Sequence, residues 1–311
     1  MRVDLQMATT SSPHNSAKVF DQSALRLRQA RAKKRFLDKI DASPDFLITH
    51  AAKDIAERLA LVSRQFSNTI DLFGRTGAMA SVMHDAENIT KVSRVELPGF
   101  HTENTSFEVF ESASDLLDVG ENPVDLLVSA FALHWSNDLP GTLIQLKNSI
   151  EPDGLFLGIL AGPDTLNELR ECLAIAESEL FGGVTPRIDP FITVQAAGAL
   201  MQRAGFALPV IDTETTTIRY DNMYDLINDL RAMAATNVLC AREKQKFSKK
   251  LFIRAAEIYA NRFADEDGRI RATFELVFMS GWVPHQSQQN PSKPGSAAIN
   301  LADAINQTKS D

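Results

Sequence analysis

In the first half of this chain, acids and glycines follow successive apolar segments, an arrangement suited to holding a nucleoside. Ser67-Asn-Thr-Ile-Asp-Leu-Phe73 reads as a strand leading into Gly74-Arg-Thr-Gly77. A glycine turn there lets backbone N–H groups and a helix N-terminus approach a negatively charged ligand group. Glu96 closes a second apolar stretch, Val92 to Val95, where a carboxylate can accept from both hydroxyls of a ribose. Glu111 and Ser112 follow a third, Phe107 to Phe110, within reach of an adenine amino group. Ser129 ends a fourth. Asp71, Gly74, Gly77, Glu96 and Glu111 are each common loop residues, and it is their order on consecutive segments that points to a cofactor site.

His134 and Trp135 come just past the fourth segment, beside any ligand held at its end. They are the candidate catalytic pair, with packing of the strand end as the competing role. His101-Thr-Glu103 has the His-x-acid spacing of a non-haem iron site, which needs a second histidine that nothing nearby supplies, so no metal is expected. Arg170, Arg203 and Arg231 could hold an acidic substrate, although helix-surface ion pairs are the more frequent use of such residues. A Gly-x-Ser-x-Gly nucleophile turn is absent.

The elements that must position these groups are legible around Val124 to Gly162. Continuous apolar runs at Leu126–Ala130 and Leu155–Leu160 suit strands covered on both faces, with a helix over Leu139–Ile150 between them. Pro152-Asp-Gly154 reads as the turn entering the fifth strand. Ligands in such sheets sit at the carboxyl ends of strands, here Ser129 through Trp135. Asp164–Phe181 (capped by Asp164), Thr193–Ala204, Asn222–Ala235 and Glu243–Phe263 read as helices, and Val210–Tyr220 and Arg269–Trp282 as strands. Both cysteines, Cys172 and Cys240, fall in helical patterns. Asp45–Arg64 is a helix with Leu47, Ala51, Ile55, Leu59 and Leu61 near one face.

The expected organisation is a polar, disordered 1–18, a helical arm 19–66, an α/β domain 67–283 with helices on both faces of its sheet, and a polar tail 284–311. Residues 164–206 exceed one crossover helix and form the expected lid. The arm between 20 and 40 is loaded with Arg26, Arg28, Arg31, Lys33, Lys34 and Arg35: a solvated helix face, or a contact for an acidic partner or an anionic membrane surface.

The chain has 311 residues, 44% of them hydrophobic, enough for a substantial core. A net charge of -8 argues against a general nucleic-acid binder, which needs clustered cations. The two cysteines have no metal or disulfide spacing, which points to a reducing, cytoplasmic setting. No apolar run reaches the ~20 residues that span a bilayer, and the first 17 residues lack the apolar run of a secretory signal.

Val128-Ser-Ala-Phe-Ala-Leu-His-Trp-Ser-Asn-Asp-Leu-Pro140, Pro152-Asp-Gly154, Gly162-Pro-Asp-Thr-Leu-Asn-Glu-Leu-Arg170, Gly182-Gly-Val-Thr-Pro186 and Asp229-Leu-Arg-Ala-Met233 carry a family likeness. With them the chain resembles class I S-adenosylmethionine-dependent methyltransferases. Within these it resembles the branch holding biotin-synthesis malonyl carrier methyltransferases and the mitochondrial complex I assembly factor that hydroxylates an arginine. The resemblance implies a Rossmann-like methyltransferase fold with S-adenosylmethionine as cofactor. It also implies a protein partner, a complex I subunit, met in the cytoplasm of a bacterium or the matrix of a mitochondrion. It leaves three functions open: a modifying enzyme, an assembly scaffold without cofactor, or a carboxyl methyltransferase. Family members carry Asp-Leu-Gly-x-Gly-x-Gly at the first turn; this chain has Asp71-Leu-Phe-Gly-Arg-Thr-Gly77, with Phe73 and Arg75 in two glycine places.

Overall fold

The computed structural model describes residues 18–38, 46–97, 107–111, 123–243 and 248–288. The expected disordered N-terminus up to residue 17, most of the polar tail, His101, Glu103 and Ser112 lie outside the described residues. The elements in chain order are α1 (Gln22–Leu37), α2 (Phe46–Ala60), β1 (Thr69–Leu72), α3 (Ala78–His84), β2 (Val92–Glu96), β3 (Glu108–Glu111), β4 (Val124–Ala130), α4 (Leu139–Ser149) and β5 (Ile150–Ala161), then α5 (Asn167–Phe181), α6 (Val194–Ala204), β6 (Ala207–Tyr220), α7 (Met223–Ala232), α8 (Lys249–Phe263) and β7 (Ile270–Trp282).

The strands form one seven-stranded sheet in the order β3-β2-β1-β4-β5-β7-β6. The first five run parallel, and β7 is antiparallel to both β5 and β6. The order reverses between β1 and β4, and at such a switch point the loops diverge and open a crevice at the carboxyl ends. Burial on both faces explains the unbroken apolar runs. Leu126 and Val128 pack with α2, α3, α5 and α8, whereas Leu127 turns to the other face with α4 and α6.

Local chemistry sets the helix ends. Asp21, Asp138, Thr193 and Asn222 cap α1, α4, α6 and α7 with side-chain oxygens that accept backbone N–H groups. Gly182 and Gly205 end α5 and α6 in left-handed conformations that suit glycine.

Several expected details differ. Asp164 does not cap α5; the helix begins at Asn167, after Leu166 in a left-handed conformation, and Asp164 N–H instead donates to Glu275 Oε2 at 2.8 Å. Pro152-Asp-Gly154 lies inside β5, where Asp153 is left-handed at φ 67° and β4–β5 pairing shifts register, so the turn is an irregularity in the strand. Leu61 is 86% exposed because α2 ends at Ala60 and turns it outward. Cys240 is not helical: its N–H donates to the Val19 carbonyl in a loop.

That loop pairs with the N-terminal arm. Phe20 bridges Leu239 in antiparallel fashion, and Asp21 N–H donates to the Val238 carbonyl at 2.8 Å. Asn137 receives the arm: its Oδ1 accepts from the N–H groups of Val19 and Phe20, both at 2.9 Å, and its Nδ2 donates to the Phe20 carbonyl at 2.9 Å. Phe20 and Leu25 then bury against Trp135, Val238 and Leu239. The arm is thus fastened to the segment that follows β4. Asn137→Ala should cost about 1–2 kcal/mol, since two part-buried backbone groups of Phe20 and the exposed N–H of Val19 lose their partner together. Amide exchange should accelerate through Phe20 and α1 while the parallel strands stay protected; unchanged exchange in α1 would show that the arm is anchored elsewhere.

Candidate functional site

The turn after β1 keeps a glycine geometry without the glycines. Phe73 has φ 58° and Arg75 has φ 55°, both left-handed, and Gly77 has φ 82°. A side chain held there costs ~1–2 kcal/mol per residue, so the surrounding packing enforces the shape. Gly74 needs its bare α-carbon for another reason: an added Cβ would lie 2.0 Å from Asp71 Oδ2.

Beneath this turn sits a charge cluster that the sequence reading did not contain. Arg94, two residues before Glu96 and therefore on the same face of β2, is 0% exposed. Its Nη2 donates to Glu96 Oε1 at 2.5 Å, and its Nε lies 3.8 Å from Asp71 Oδ2. Arg94 Nε and Nη1 have no hydrogen-bond partner. Burial pushes Asp71 up to about 6 despite the neighbouring guanidinium. Burial also pushes Glu96 up to about 7, with Arg94 drawing it down and Asp71 adding to the rise. The Arg75 backbone N–H donates to the same Glu96 carboxyl.

These residues do not fit S-adenosylmethionine in the manner the family resemblance implies. The acid meant for the ribose is 1% exposed and already bonded to Arg94. Ser129 is fully buried, and its hydroxyl donates to the Leu72 carbonyl at 3.2 Å, joining β4 to the end of β1. Glu111 is exposed at the end of β3.

A second group of side chains gathers past β4. His134 and Trp135 stand on a short 3₁₀ turn with ring centroids 4.2 Å apart, and Phe191 meets His134 edge-on at 6.4 Å. Burial, with Arg75 adding to it, pushes His134 down to about 3, so the ring is neutral near pH 7 and its Nδ1 has no partner. Trp135 Nε1 donates to Asp189 Oδ2 at 2.9 Å, while Asp189 Oδ1 is buried without a partner. Burial raises Asp189 above the usual carboxylate range. These residues line a cavity of about 70 Å³ with Arg75, Phe131 and Glu275. The Arg75 guanidinium donates to the Met233 carbonyl.

The site therefore has two ends. Of the residues read as cofactor-binding, the structure brings Asp71, Gly74 and Glu96 around Arg94; His134 and Trp135 belong to the other end with Asp189. Arg94 had one local signal, a charge inside an apolar strand segment. Asp189, 54 residues from Trp135, had none. Arg170 donates to the carbonyls of Pro163 and Thr165, and Arg231 to Asn228 Oδ1.

No family model matches the chain. It is 33% identical over 297 residues to "Arginine-hydroxylase NDUFAF5, mitochondrial" of Danio rerio, covering 94% of this chain and 91% of that protein. It is 33% identical over 172 residues to the malonyl-[acyl-carrier protein] O-methyltransferase of Gallionella capsiferriformans, 55% of this chain and 56% of that one. Among solved structures it is similar to the YcgJ protein of Bacillus subtilis, with TM-score 0.51 and 10% identity, covering 76% of this chain and 99% of that one. The fold is that of the class I methyltransferases.

The buried acids make stability depend on pH. Glu96 and Asp71 have raised values in the folded chain, so the unfolded chain loses their protons first as pH rises. Their contribution is complete below about pH 4 and is lost by about pH 7. Glu96→Gln should reduce that loss by on the order of 1–3 kcal/mol. Comparing variant and wild type at each pH cancels His134, whose lowered value acts in the opposite sense. Parallel stability profiles from pH 4 to 8 would refute the account of this cluster.

Proposed function

The chain belongs to the family of the mitochondrial arginine-hydroxylase NDUFAF5. From that premise we propose that it serves the assembly of respiratory complex I by holding an arginine of one complex I subunit between His134 and Asp189. The observation that carries this reading is Asp189: a buried carboxylate with one oxygen on Trp135 and the other without a partner. A guanidinium supplies both the donor and the positive charge that such an oxygen lacks. Phe131, Trp135 and Phe191 offer aromatic faces of the kind that attract a cation. His134, being neutral, adds no opposing charge. Glu275 gives the lining a second carboxylate, one oxygen of which accepts from the Asp164 N–H.

The 164–206 segment contributes Thr165, Leu166, Asp189 and Phe191 to this lining, and we read it as the lid that closes on the partner. No helix among the described residues is long and apolar enough to cross a membrane. The basic arm is then the peripheral contact with a membrane-bound complex, in the mitochondrial matrix or the bacterial cytoplasm.

Whether the arginine is chemically modified turns on the cofactor end. Arg94 bonded to Glu96 favours a scaffold that works without S-adenosylmethionine. The modifying-enzyme reading is supported by the relative's name and by the buried carboxylate among aromatic residues at the other end. Methyl transfer to a carrier-bound carboxyl has the weaker support of a match over 55% of the chain.

Loss of this protein from its host should reduce assembled complex I on native gels, and wild type should restore it. Asp189→Asn should weaken capture of the subunit about tenfold or more, because a charge-assisted bond is worth ~1.5–3 kcal/mol. Normal complex I without the protein would sink the reading. Calorimetric titration with S-adenosylmethionine separates enzyme from scaffold: binding that Glu96→Ala weakens about tenfold selects the enzyme. No heat from wild type, with binding gained after Phe73→Gly and Arg75→Gly, selects the scaffold.

A further inference from the structure

A larger cavity, about 610 Å³, shares Leu166, Asp189, Phe191, Leu230 and Ala235 with the arginine pocket, so a bound segment can extend from one into the other. Its wall is largely apolar, but Arg28, Arg187, Arg231 and Arg242 also line it. Three of these have partners. Arg187 is bonded to Glu177, Arg242 to Asp21 Oδ2 at 2.7 Å, and Arg231 to Asn228 Oδ1 at 3.1 Å.

Arg28 differs. It is half-buried on α1 and makes no hydrogen bond or ion pair among the described residues. The charges acting on it are Arg31, Arg231 and Arg242, all of its own sign, and together with burial they lower its pKa. Neither acid of this wall pairs with Arg28: Asp189 accepts from Trp135 through one oxygen and keeps the other without a partner, and Glu243 has its own interaction. A partly desolvated cation acted on by like charges is unfavourable in the free protein, and an arriving carboxylate offsets both the desolvation and the repulsion.

We propose that Arg28, with Arg231 and Arg242 beside it, receives an acidic side chain of the partner segment, so that the protein recognises an arginine and a carboxylate a few residues apart. This rests on the reading that the smaller pocket holds the partner's arginine. The occupant is a polypeptide carboxylate rather than a free anion because the apolar wall and the shared residues continue into that pocket, which suits a chain running through both. Six extended residues reach about 20 Å, which sets the range over which the two side chains are sought.

The experiment uses the full chain and fluorescent peptides with one central arginine. Glutamate is scanned against glutamine at each position within about six residues on either side. At one side of the arginine, glutamate should tighten binding about fivefold, equivalent to ~1 kcal/mol, and Arg28→Gln should erase that gain while leaving the dependence on the central arginine intact. Arg28→Gln should also keep or raise the melting temperature of the unliganded protein, since it removes repulsion; an arginine with a merely structural role would lower it. The proposal is overturned if glutamate gives no gain at any position, or if the gain survives Arg28→Gln. It is also overturned if inorganic phosphate or phosphatidylglycerol vesicles bind through Arg28 while no glutamate helps. Replacement of the central arginine by citrulline reports separately on the smaller pocket: an unchanged affinity there would refute the arginine reading, while an Arg28-dependent gain would still locate the carboxylate.

Discussion

A guanidinium with no exposure to solvent must be neutralised by what surrounds it, and Arg94 is held by Asp71 and Glu96 on two neighbouring strands. Burial lifts both carboxyls despite the guanidinium between them, and for Glu96 the neighbouring Asp71 adds to the rise. Removing one member of such a cluster exposes the others to the full penalty of burial, so the three act as a unit. Their positions fix the carboxyl ends of β1 and β2, and the turn above inherits its shape: Arg75 N–H reaches Glu96, and Asp71 fills the space that Gly74 leaves. Phe73 and Arg75 are thereby held left-handed.

This constraint divides the edge of the sheet. At the carboxyl ends of β1 and β2 the buried polar groups face one another, whereas past β4 one oxygen of Asp189 is buried without a partner. That oxygen lies in a lining shared with Phe131, Trp135 and Phe191.

The N-terminal arm bears on both cavities past β4. Asn137 fastens it directly after the Leu-His-Trp turn, and Trp135, which lines the smaller pocket, packs against Phe20 and Leu25. Helix α1 then carries Arg28 along the wall of the larger cavity. Docking of the arm and shape of the groove are consequently one packing problem, with Trp135 contributing to both through its ring and its Nε1.

The sequence by itself determined the elements and their class. Unbroken apolar runs in β4 and β5 require a sheet covered on both faces, and polar caps and glycines mark most helix ends within a few residues; these are short-range effects of periodicity and backbone freedom. It also placed Gly74, Glu96, His134 and Trp135 at strand ends, because a strand's end is local. Only the tertiary structure decided what those residues meet. Arg94 lies two positions from Glu96, but its contact with Asp71 exists because β1 and β2 pair in one particular register. Trp135 and Asp189 are separated by 54 residues, and Val19 and Asn137 by 118. No local preference encodes such pairs; they follow from a sheet order that brings distant loops to one edge, where burial removes water and makes each missing or repeated charge costly.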